Sequence, residues 1–265
     1  MGDIRMINLK NNVIYHDWNT EGKDYVVGDL HGCFVEFNHF LKLINFDKSK
    51  DIMFSVGDLP DRGTKSLECL ELIYENWFHS IYANHEQLMV EGLIGKDNNV
   101  MDNWVYNGGV WHYSHCNQLL TDISQDIIDK IPYIRVIGKN SDKRVNIVHA
   151  ELFQNIYTSE LITDEDIDDW QFKNQEDSLV WGRRIIENRL MYAKIKRPEL
   201  SITYCGHTPV ETPIQVMNHR YIDTGAVFAV TKELDRVMTI VDMQDEIAYT
   251  MNMKTKELKS FKWGE

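Results

Sequence analysis

Short apolar runs alternate with amphipathic segments over the first hundred residues of the chain. Each of three apolar runs predicts a buried strand, and apolar residues in the segment after it recur every three or four positions, as on one helix face. The predicted strands are 24–27, 52–56 and 80–83, and the predicted helices are 34–44, 65–77 and about 88–94. Three strand–loop–helix units in succession predict a parallel sheet with right-handed crossovers, and therefore an α/β fold.

The remainder of the chain has a less regular pattern. Residues 1–23 predict an irregular start with one short strand, and residues 96–132 predict helices interrupted at Gly108-Gly109. The acidic segment 151–178 predicts a solvent-exposed loop, and residues 181–195 predict a helix. The final strands are expected to be antiparallel and to close a second sheet. The strands predicted in this part are 133–138, 144–148, 201–205, 220–222, 235–241, 246–251 and 258–262.

The length of 265 residues fits one domain of the larger α/β kind. We therefore expect a single domain over residues 1–265. Its helical or loop insertions are expected at about 96–132 and 151–195, and an additional β tail is expected at about 229–265.

The formal net charge of −13 argues against a general nucleic-acid binder, whose affinity rests on Lys and Arg side chains that neutralise phosphates. It does not exclude a small phosphorylated substrate, because bound metal ions can reverse the local potential. The four cysteines are widely separated, as in a protein of a reducing compartment, and no apolar run reaches membrane-spanning length. With no signal peptide or myristoylation pattern at the N-terminus, we expect a cytoplasmic protein that does not bind membranes.

Polar side chains follow five of the predicted strands at the point where each strand ends, which is where open α/β sheets bind ligands. These side chains are Asp29 and His31, Asp58, Asn84, His149, and His207. Taken singly, each residue is more often structural, but the joint pattern predicts a shared site. Three imidazoles, two carboxylates and one carboxamide suit Mn, Fe or Zn better than Ca or Mg. Six ligands exceed what one ion with an open position needs, so two ions bridged by Asp58 are predicted.

Seven sequence blocks occur in an order and at a spacing typical of one protein family. They are Gly28-Asp29-x-His31-Gly32, Gly57-Asp58-x-x-Asp61-Arg62-Gly63, Asn84-His85-Glu86, His149-Ala150, Trp181-x-Arg183, Gly206-His207-Thr208-Pro209 and Ile222-Asp223-Thr224-Gly225-Ala226-Val227-Phe228. Over about residues 24–228 the chain resembles the phosphoprotein phosphatase family of calcineurin-like metallophosphoesterases, most closely its small lambda-type members from bacteriophages and bacteria. The resemblance implies two mixed β-sheets packed as a sandwich and flanked by α-helices, with a two-metal site at the strand carboxyl ends.

The resemblance also implies a role for each site residue. Asp29, His31 and Asp58 would hold the first metal ion. Asp58, Asn84, His149 and His207 would hold the second, with Mn²⁺ as the first candidate for both ions and Fe or Zn as alternatives. His85, oriented by Asp61, would be the general acid that protonates the leaving oxygen. Arg62, Arg183 and Asn84 would bind the phosphate, since a guanidinium fork matches phosphoryl oxygens better than an ammonium group does.

The implied activity is hydrolysis of phosphoserine and phosphothreonine, and by extension phosphotyrosine, by direct attack of a metal-bound hydroxide without a phospho-enzyme. The implied partner is a phosphoprotein or phosphopeptide. A symmetrical dinucleoside tetraphosphate hydrolase or a phosphodiesterase remains an alternative, because such enzymes share the metal site and the specificity is expected to lie in residues 96–132 and 151–180. A catalytically silent binding module is a third reading, which predicts that a ligand or the acid is missing.

Several residues depart from the family pattern. Pro60 replaces an aliphatic residue, and we expect it to stiffen the loop while leaving the site intact. Gly182 replaces the asparagine of the Trp-x-Arg block, so Arg184 stays open as a competitor of Arg183. The aromatic-rich stretch that contains Trp111, His112 and His115 is interpreted as packing.

Overall fold

The computed structural model describes residues 7–153, 162–170, 176–193, 195 and 197–263. Its strands are β1 Val13–His16, β2 Asp24–Val27, β3 Ile52–Ser55, β4 Phe78–His79, β5 Ile134–Ile137, β6 Val145–Val148, β7 Ile202–Cys205, β8 Ile214–Val216, β9 His219–Tyr221, β10 Val237–Asp242, β11 Ile247–Asn252 and β12 Leu258–Lys262. Its α-helices are α1 Phe34–Leu43, α2 Ser66–Glu71, α3 Asn84–Leu93, α4 Asn98–Tyr106, α5 Asn117–Lys130, α6 Asp164–Asp169, α7 Glu176–Trp181, α8 Arg184–Glu187, α9 Arg189–Tyr192 and α10 Ala226–Thr231. Two 3-10 helices span Leu72–Tyr74 and Gly109–Ser114.

The strands form two six-stranded mixed sheets flanked by helices, which confirms the predicted fold class. The first sheet has the order β12-β11-β10-β2-β3-β4, in which β2, β3 and β4 are parallel, as the strand–loop–helix pattern predicts. The second sheet has the order β1-β5-β6-β7-β9-β8. No helix in the described part of the chain is long and apolar enough to cross a bilayer.

The β tail joins the first sheet, so the prediction that it closes a second sheet was wrong. Strand β10 is antiparallel to β2, with Ile240 opposite Val27 and Val241 opposite Val26. It is buried over five of its six residues, because it is an inner strand with apolar layers on both faces. Of the four strands predicted from residue 220 onward, only 220–222, observed as β9, lies in the second sheet.

Alternate residues of the inner strands face two different apolar layers, as the period of two in a strand requires. Val26 and Phe54 of the first sheet meet Ile147 and Tyr204 of the second sheet in the core between the sheets. Their neighbours on the strands, such as Val27, face the opposite way and pack into the helix-covered core. This two-sided burial fixes the strand register, and with it the positions of the strand ends.

Local boundaries differ from the predictions where polar contacts decide the backbone. The strand predicted at 80–83 is observed two residues earlier as β4, since Tyr82 N–H donates to the Pro132 carbonyl outside the ladder. The acidic run after Thr163 is the helix α6, capped by the reciprocal Thr163–Asp166 pair, although a loop was predicted. The helix predicted at 181–195 is observed as α8 and α9, and Trp181 ends α7. Residues 154–161 and 171–175 of the predicted loop lie outside the described part of the chain.

Three further elements differ from the sequence pattern. The predicted helix 65–77 is α2 followed by the 3-10 helix Leu72–Tyr74. Strand β8 and helix α10 were not predicted.

The burial of β10 makes the tail part of the folded core, and this can be tested by mutation. We expect Ile240→Ala to reduce the free energy of unfolding by about 2–5 kcal/mol, because the fully buried side chain leaves a cavity. Urea unfolding in the presence of EDTA measures it without a contribution from metal binding. The control Lys259→Ala, on the exposed edge strand, should change the value by about 0.5 kcal/mol or less. Equal effects for the two variants would contradict this placement of the tail.

Candidate active site

The loops after β2, β3 and β7 turn sharply. Several of their polar residues have a backbone conformation that residues other than glycine rarely adopt. His31, Asp58, Asp61, Arg62 and His207 all have positive φ, between 43° and 76°. Such left-handed residues cost free energy and persist where the surrounding structure enforces them, which is common at functional sites. The loops after β2 and β3 are joined by two hydrogen bonds. His31 N–H donates to the Asp58 carbonyl and Gly32 N–H donates to the Leu59 carbonyl, both at 2.9 Å.

Two glycines allow these loops to approach closely. A Cβ atom on Gly63 would lie 2.1 Å from the His31 carbonyl oxygen, and one on Gly206 would lie 2.0 Å from Asp29 Oδ1. Both contacts are far shorter than van der Waals distance, so any side chain there would push the loops apart. Glycine at these positions of the sequence blocks therefore allows the strand ends to lie close together.

Glu86 supports the Asp58 loop from the first turn of α3. Its carboxylate accepts the backbone N–H groups of Asp58, at 3.1 Å, and Leu59, at 2.8 Å. Burial, together with the charge of Asp58, raises the pKa of Glu86 to about 8. The pair of hydrogen bonds fixes the strained turn at Asp58, a role that the sequence block alone did not reveal.

Two histidines present bare ring nitrogens to the Asp58 carboxylate. His31 Nδ1 donates to the Pro60 carbonyl at 3.0 Å, and His149 Nδ1 donates to the Val56 carbonyl at 2.7 Å. Because a carbonyl only accepts, the neutral form of each imidazole, which burial favours, has no proton on Nε2, and these atoms lie 3.3 Å and 3.4 Å from the Asp58 oxygens. Metal-binding histidines are typically oriented in this way. Pro60 thus contributes its carbonyl to the site, and its missing N–H does not disturb it.

Acidic groups in the site are crowded and buried. Burial and the charges of Asp223 and Asp58 raise the pKa of Asp29 well above its ordinary value. Burial and the charge of Asp58 also raise the pKa of Asp223, to about 6. For Asp58 itself burial acts in the same direction, but positive charge on the neighbouring imidazoles, when these are protonated, and on the Arg62 guanidinium outweighs it and holds its pKa well below the usual range.

Asn84 and His207 extend the cluster on the side of His149. The Asn84 Oδ1 atom lies 2.7 Å from His149 Nε2 and 3.1 Å from His207 Nδ1. The His207 backbone N–H donates to both Asp29 oxygens, at 3.3 Å and 3.1 Å. Burial lowers the pKa of His207, as it does for His31 and His149, so all three imidazoles favour the neutral form that a metal ion requires.

The donor set fits divalent metal ions. Lone pairs of His149 Nε2, Asn84 Oδ1 and an Asp58 oxygen face one another, and a bound cation would relieve this contact between acceptors. Potential ligand atoms form two groups, and within each group they lie no more than 4.8 Å apart. One group is His31, Asp58 and His85, and the other is Asp29, Asp58 and His149. Asp58 belongs to both groups, as expected of a bridging ligand. The groups combine Asp29 with His149 and include His85, so the predicted division of ligands between the two ions stays a prediction.

His85 and the two candidate phosphate-binding arginines border this cluster. The His85 ring is fully buried, its Nδ1 lies 2.6 Å from Asp61 Oδ2, and its backbone N–H donates to Asp58 at 3.1 Å. Arg62 directs one guanidinium nitrogen to His31 Nε2 at 2.5 Å and the other to His85 Nε2 at 2.8 Å. Arg183 Nε donates to His207 Nε2 at 3.1 Å. Its competitor Arg184 packs over the Phe153 ring instead.

Five contributors were not recognised as such from the sequence. Glu86 and Asp223 stand inside the quoted blocks, and their burial is the signal that distinguishes them. Glu151 accepts the backbone N–H groups of Ile185 and Ile186 at 2.9 Å and the Tyr221 hydroxyl at 2.8 Å, and so anchors the segment that carries Arg183. The other two are Trp104 and Trp111, whose indole N–H groups donate to Asp61. Trp111 had been interpreted as packing.

The chain is similar to several known proteins. Residues 25–225 match the family model described as calcineurin-like phosphoesterase. Serine/threonine-protein phosphatase 1 of Salmonella typhimurium is 31% identical over 223 residues, which cover 80% of this chain and 91% of that protein. A symmetrical bis(5'-nucleosyl)-tetraphosphatase of Actinobacillus pleuropneumoniae is 44% identical over 73 residues, or 27% of each chain. A protein serine/threonine phosphatase from Saccharomyces cerevisiae has a TM-score of 0.55 at 15% identity, covers 99% of this chain and 86% of its own, and shows the likeness of fold.

Because the buried carboxylates are crowded, we expect one substitution to change the stability of the protein in opposite ways with and without metal. In EDTA near pH 7, we expect Asp29→Asn to raise the thermal midpoint, because the raised pKa of Asp29 means that the folded protein disfavours the ionised carboxylate that the unfolded chain carries at this pH. With Mn²⁺ at about 100 times its Kd, the parent protein should gain about 2.7 kcal/mol for each ion bound, and the variant should gain less. The charge-matched control Asp142→Asn, at an exposed site, should respond to Mn²⁺ like the parent protein. An equal Mn²⁺ response of Asp29→Asn and the parent protein would contradict the assignment of Asp29 as a ligand.

Proposed function

The chain belongs to the calcineurin-like phosphoesterase family, as its sequence blocks predict, and from this membership we propose that it is a protein phosphatase acting on phosphoserine and phosphothreonine. Membership of this family makes it a phosphoester hydrolase. The proposal is that its substrate is a phosphoprotein. The observation that carries the proposal is the extent of the match to the Salmonella typhimurium phosphatase, which covers 91% of that protein. That match is long enough to include segments outside the metal-binding blocks, where substrate preference is expected to lie.

We propose that two divalent ions, with Mn²⁺ the first candidate and Fe or Zn as alternatives, are held by the predicted ligands. One is assigned to Asp29, His31 and Asp58, and the other to Asp58, Asn84, His149 and His207. When bound, such ions activate a water molecule and offset the charge of the phosphate oxygens. The acceptor atoms that face one another around Asp58 support this assignment.

The arginines are proposed to bind the phosphate by exchanging partners. In the structure, the Arg62 donors are taken up by His31 and His85, and the Arg183 donor is taken up by His207. A phosphate with two or three negative oxygens is a stronger acceptor than a neutral imidazole, so both guanidinium groups are proposed to turn toward it. Asn84, beside His149 and His207, is proposed to donate its amide N–H to the phosphate.

His85 is proposed to deliver the proton to the leaving oxygen. Its backbone is fixed by Asp58 and its Nδ1 by Asp61, so its Nε2 has one direction in which to point. That atom accepts from Arg62 in the structure, and we propose that it takes up a proton from solvent once Arg62 has turned toward the phosphate, and then delivers that proton to the leaving oxygen. Proton transfer from a fixed imidazole matters most when the leaving group is a strong base, such as the alkoxide of serine or threonine.

A symmetrical dinucleoside tetraphosphate hydrolase is the second candidate, favoured by the 44% identity to the Actinobacillus pleuropneumoniae enzyme. That similarity is confined to 73 residues. A catalytically silent binding module is disfavoured, because the structure brings all six candidate ligands and His85 into one connected cluster.

Turnover of a phosphoserine peptide, diadenosine tetraphosphate and a cyclic nucleotide by the Mn²⁺-loaded protein would distinguish these candidates. We expect the highest kcat/KM for the phosphopeptide. A higher value for either nucleotide would overturn the protein-phosphatase proposal, while leaving the phosphoesterase activity in place.

The acid role of His85 predicts a loss that depends on the leaving group. We expect His85→Asn to lower kcat by about 10²–10⁴ for a phosphoserine peptide, and much less for p-nitrophenyl phosphate, whose weakly basic leaving group needs little protonation. Metal content, measured by mass spectrometry, should be unchanged. The control His39→Asn, at an exposed position on α1, should keep full activity on both substrates. An equal loss on the two substrates would contradict proton delivery by His85.

A further inference from the structure

Two tryptophans outside the metal-binding blocks donate hydrogen bonds to the catalytic-loop aspartate. Trp104 Nε1 lies 3.0 Å from both oxygens of Asp61, and Trp111 Nε1 lies 2.6 Å from Oδ1. Asp61 and Trp104 are fully buried, and Trp111 is half-buried. Two indole donors on one buried carboxylate are more than packing alone requires, because an indole N–H can be satisfied by any single acceptor.

The tryptophans come from a rigid part of the helical insertion. Trp104 lies on α4 and Trp111 lies on the 3-10 helix that follows, with their rings edge to face at 6.2 Å. Trp104 also stacks on His112, at 4.7 Å, and His112 Nδ1 donates to the Gly109 carbonyl at 2.7 Å. These contacts hold each indole N–H in a fixed direction.

The same insertion also contacts Arg62, the residue next to Asp61. The Arg62 backbone N–H donates to the Gly108 carbonyl at 3.2 Å, and a Cβ atom on Gly108 would lie 2.8 Å from the Arg62 side chain. The insertion therefore contacts the strained pair Asp61-Arg62 through both side chain and backbone.

The two carboxylate oxygens of Asp61 have different hydrogen-bond partners. Trp111 binds Oδ1 and His85 Nδ1 binds Oδ2, while Trp104 lies across both. The Asp61 backbone N–H donates to Ser66 Oγ at 2.9 Å, so the backbone is fixed as well. Rotation of the carboxylate about its Cβ–Cγ bond would break the indole bonds, and this keeps Oδ2 aimed at His85.

We propose that Trp104 and Trp111 are positioning residues for proton delivery, which act by locking the carboxylate of Asp61 and, through it, the ring of His85. The inference rests on the proposed acid role of His85. It gives the helical insertion a part in the reaction, besides the part in substrate specificity that is expected of residues 96–132.

The deciding variant is Trp111→Phe, which keeps a ring at a half-buried position and removes the N–H donor. We expect kcat for the phosphoserine peptide to fall about tenfold, the low end for loss of an outer partner of a functional side chain. The value for p-nitrophenyl phosphate should change less than about twofold, because that reaction needs little protonation. Trp104→Phe should act in the same direction, and its metal content and urea midpoint show whether it folds.

The matched control is Trp18→Phe, which removes an indole N–H that donates to Ser141 Oγ at 3.3 Å, outside this site. It should leave both substrates unaffected. A loss of equal size on the two substrates in Trp111→Phe would overturn the inference and indicate a general structural role.

A double-mutant cycle separates this inference from the proposed function. If the tryptophan acts through His85, Trp111→Phe should have no further effect on the phosphopeptide reaction in a His85→Asn background. A tenfold loss that persists in that background would overturn the inference while leaving the acid role of His85 intact. If His85→Asn alone shows no dependence on the leaving group, the proposed function fails at that step, whatever the tryptophan does.

Discussion

The carboxylate of Asp58 imposes the main constraint on this structure. It lies in the protein interior, faces the bare nitrogens of two imidazoles, and carries a charge that two neighbouring carboxylates oppose. Such a group is costly to bury unless positive charge is near, and here the neighbouring imidazoles, when protonated, and the Arg62 guanidinium lower its pKa. The left-handed turns, the loop contacts at the glycines and the support from Glu86 all keep this arrangement in place against its own repulsion.

The parts of the fold that could be predicted are those where local pattern and global packing agree. Strands β2 and β3 are short apolar runs, and helix α1 buries one face through Phe37, Phe40 and Leu41, so their type follows from the hydrophobic period alone. The tail was misplaced because its alternation identifies strands but does not identify their neighbours. Pairing of β10 with β2 joins residues more than two hundred positions apart, and no local signal encodes it.

The same distinction separates the site residues that were found from those that were missed. Candidates such as Asp29 and Asp58 follow the neighbouring parallel strands β2 and β3, whose ends meet at one edge of the sheet, so position in the pattern was enough. Glu151, Trp104 and Trp111 act from helices or connections, through hydrogen bonds to groups far away in the chain. A hydrogen bond of this kind has no period, and an apolar-looking tryptophan in a helix fits packing equally well.

The two arginines proposed to bind phosphate are fixed by different parts of the chain. The Arg62 backbone is held by Gly108 of the helical insertion, whereas the segment after Arg183 is held by the buried carboxylate of Glu151. Five of the six candidate metal ligands, in contrast, follow strand ends of the two sheets. We therefore expect changes in either insertion to move one arginine without moving a candidate metal ligand. Under the proposed function, such a separation would let one metal site serve different phosphate esters, with the choice of substrate made in the insertions.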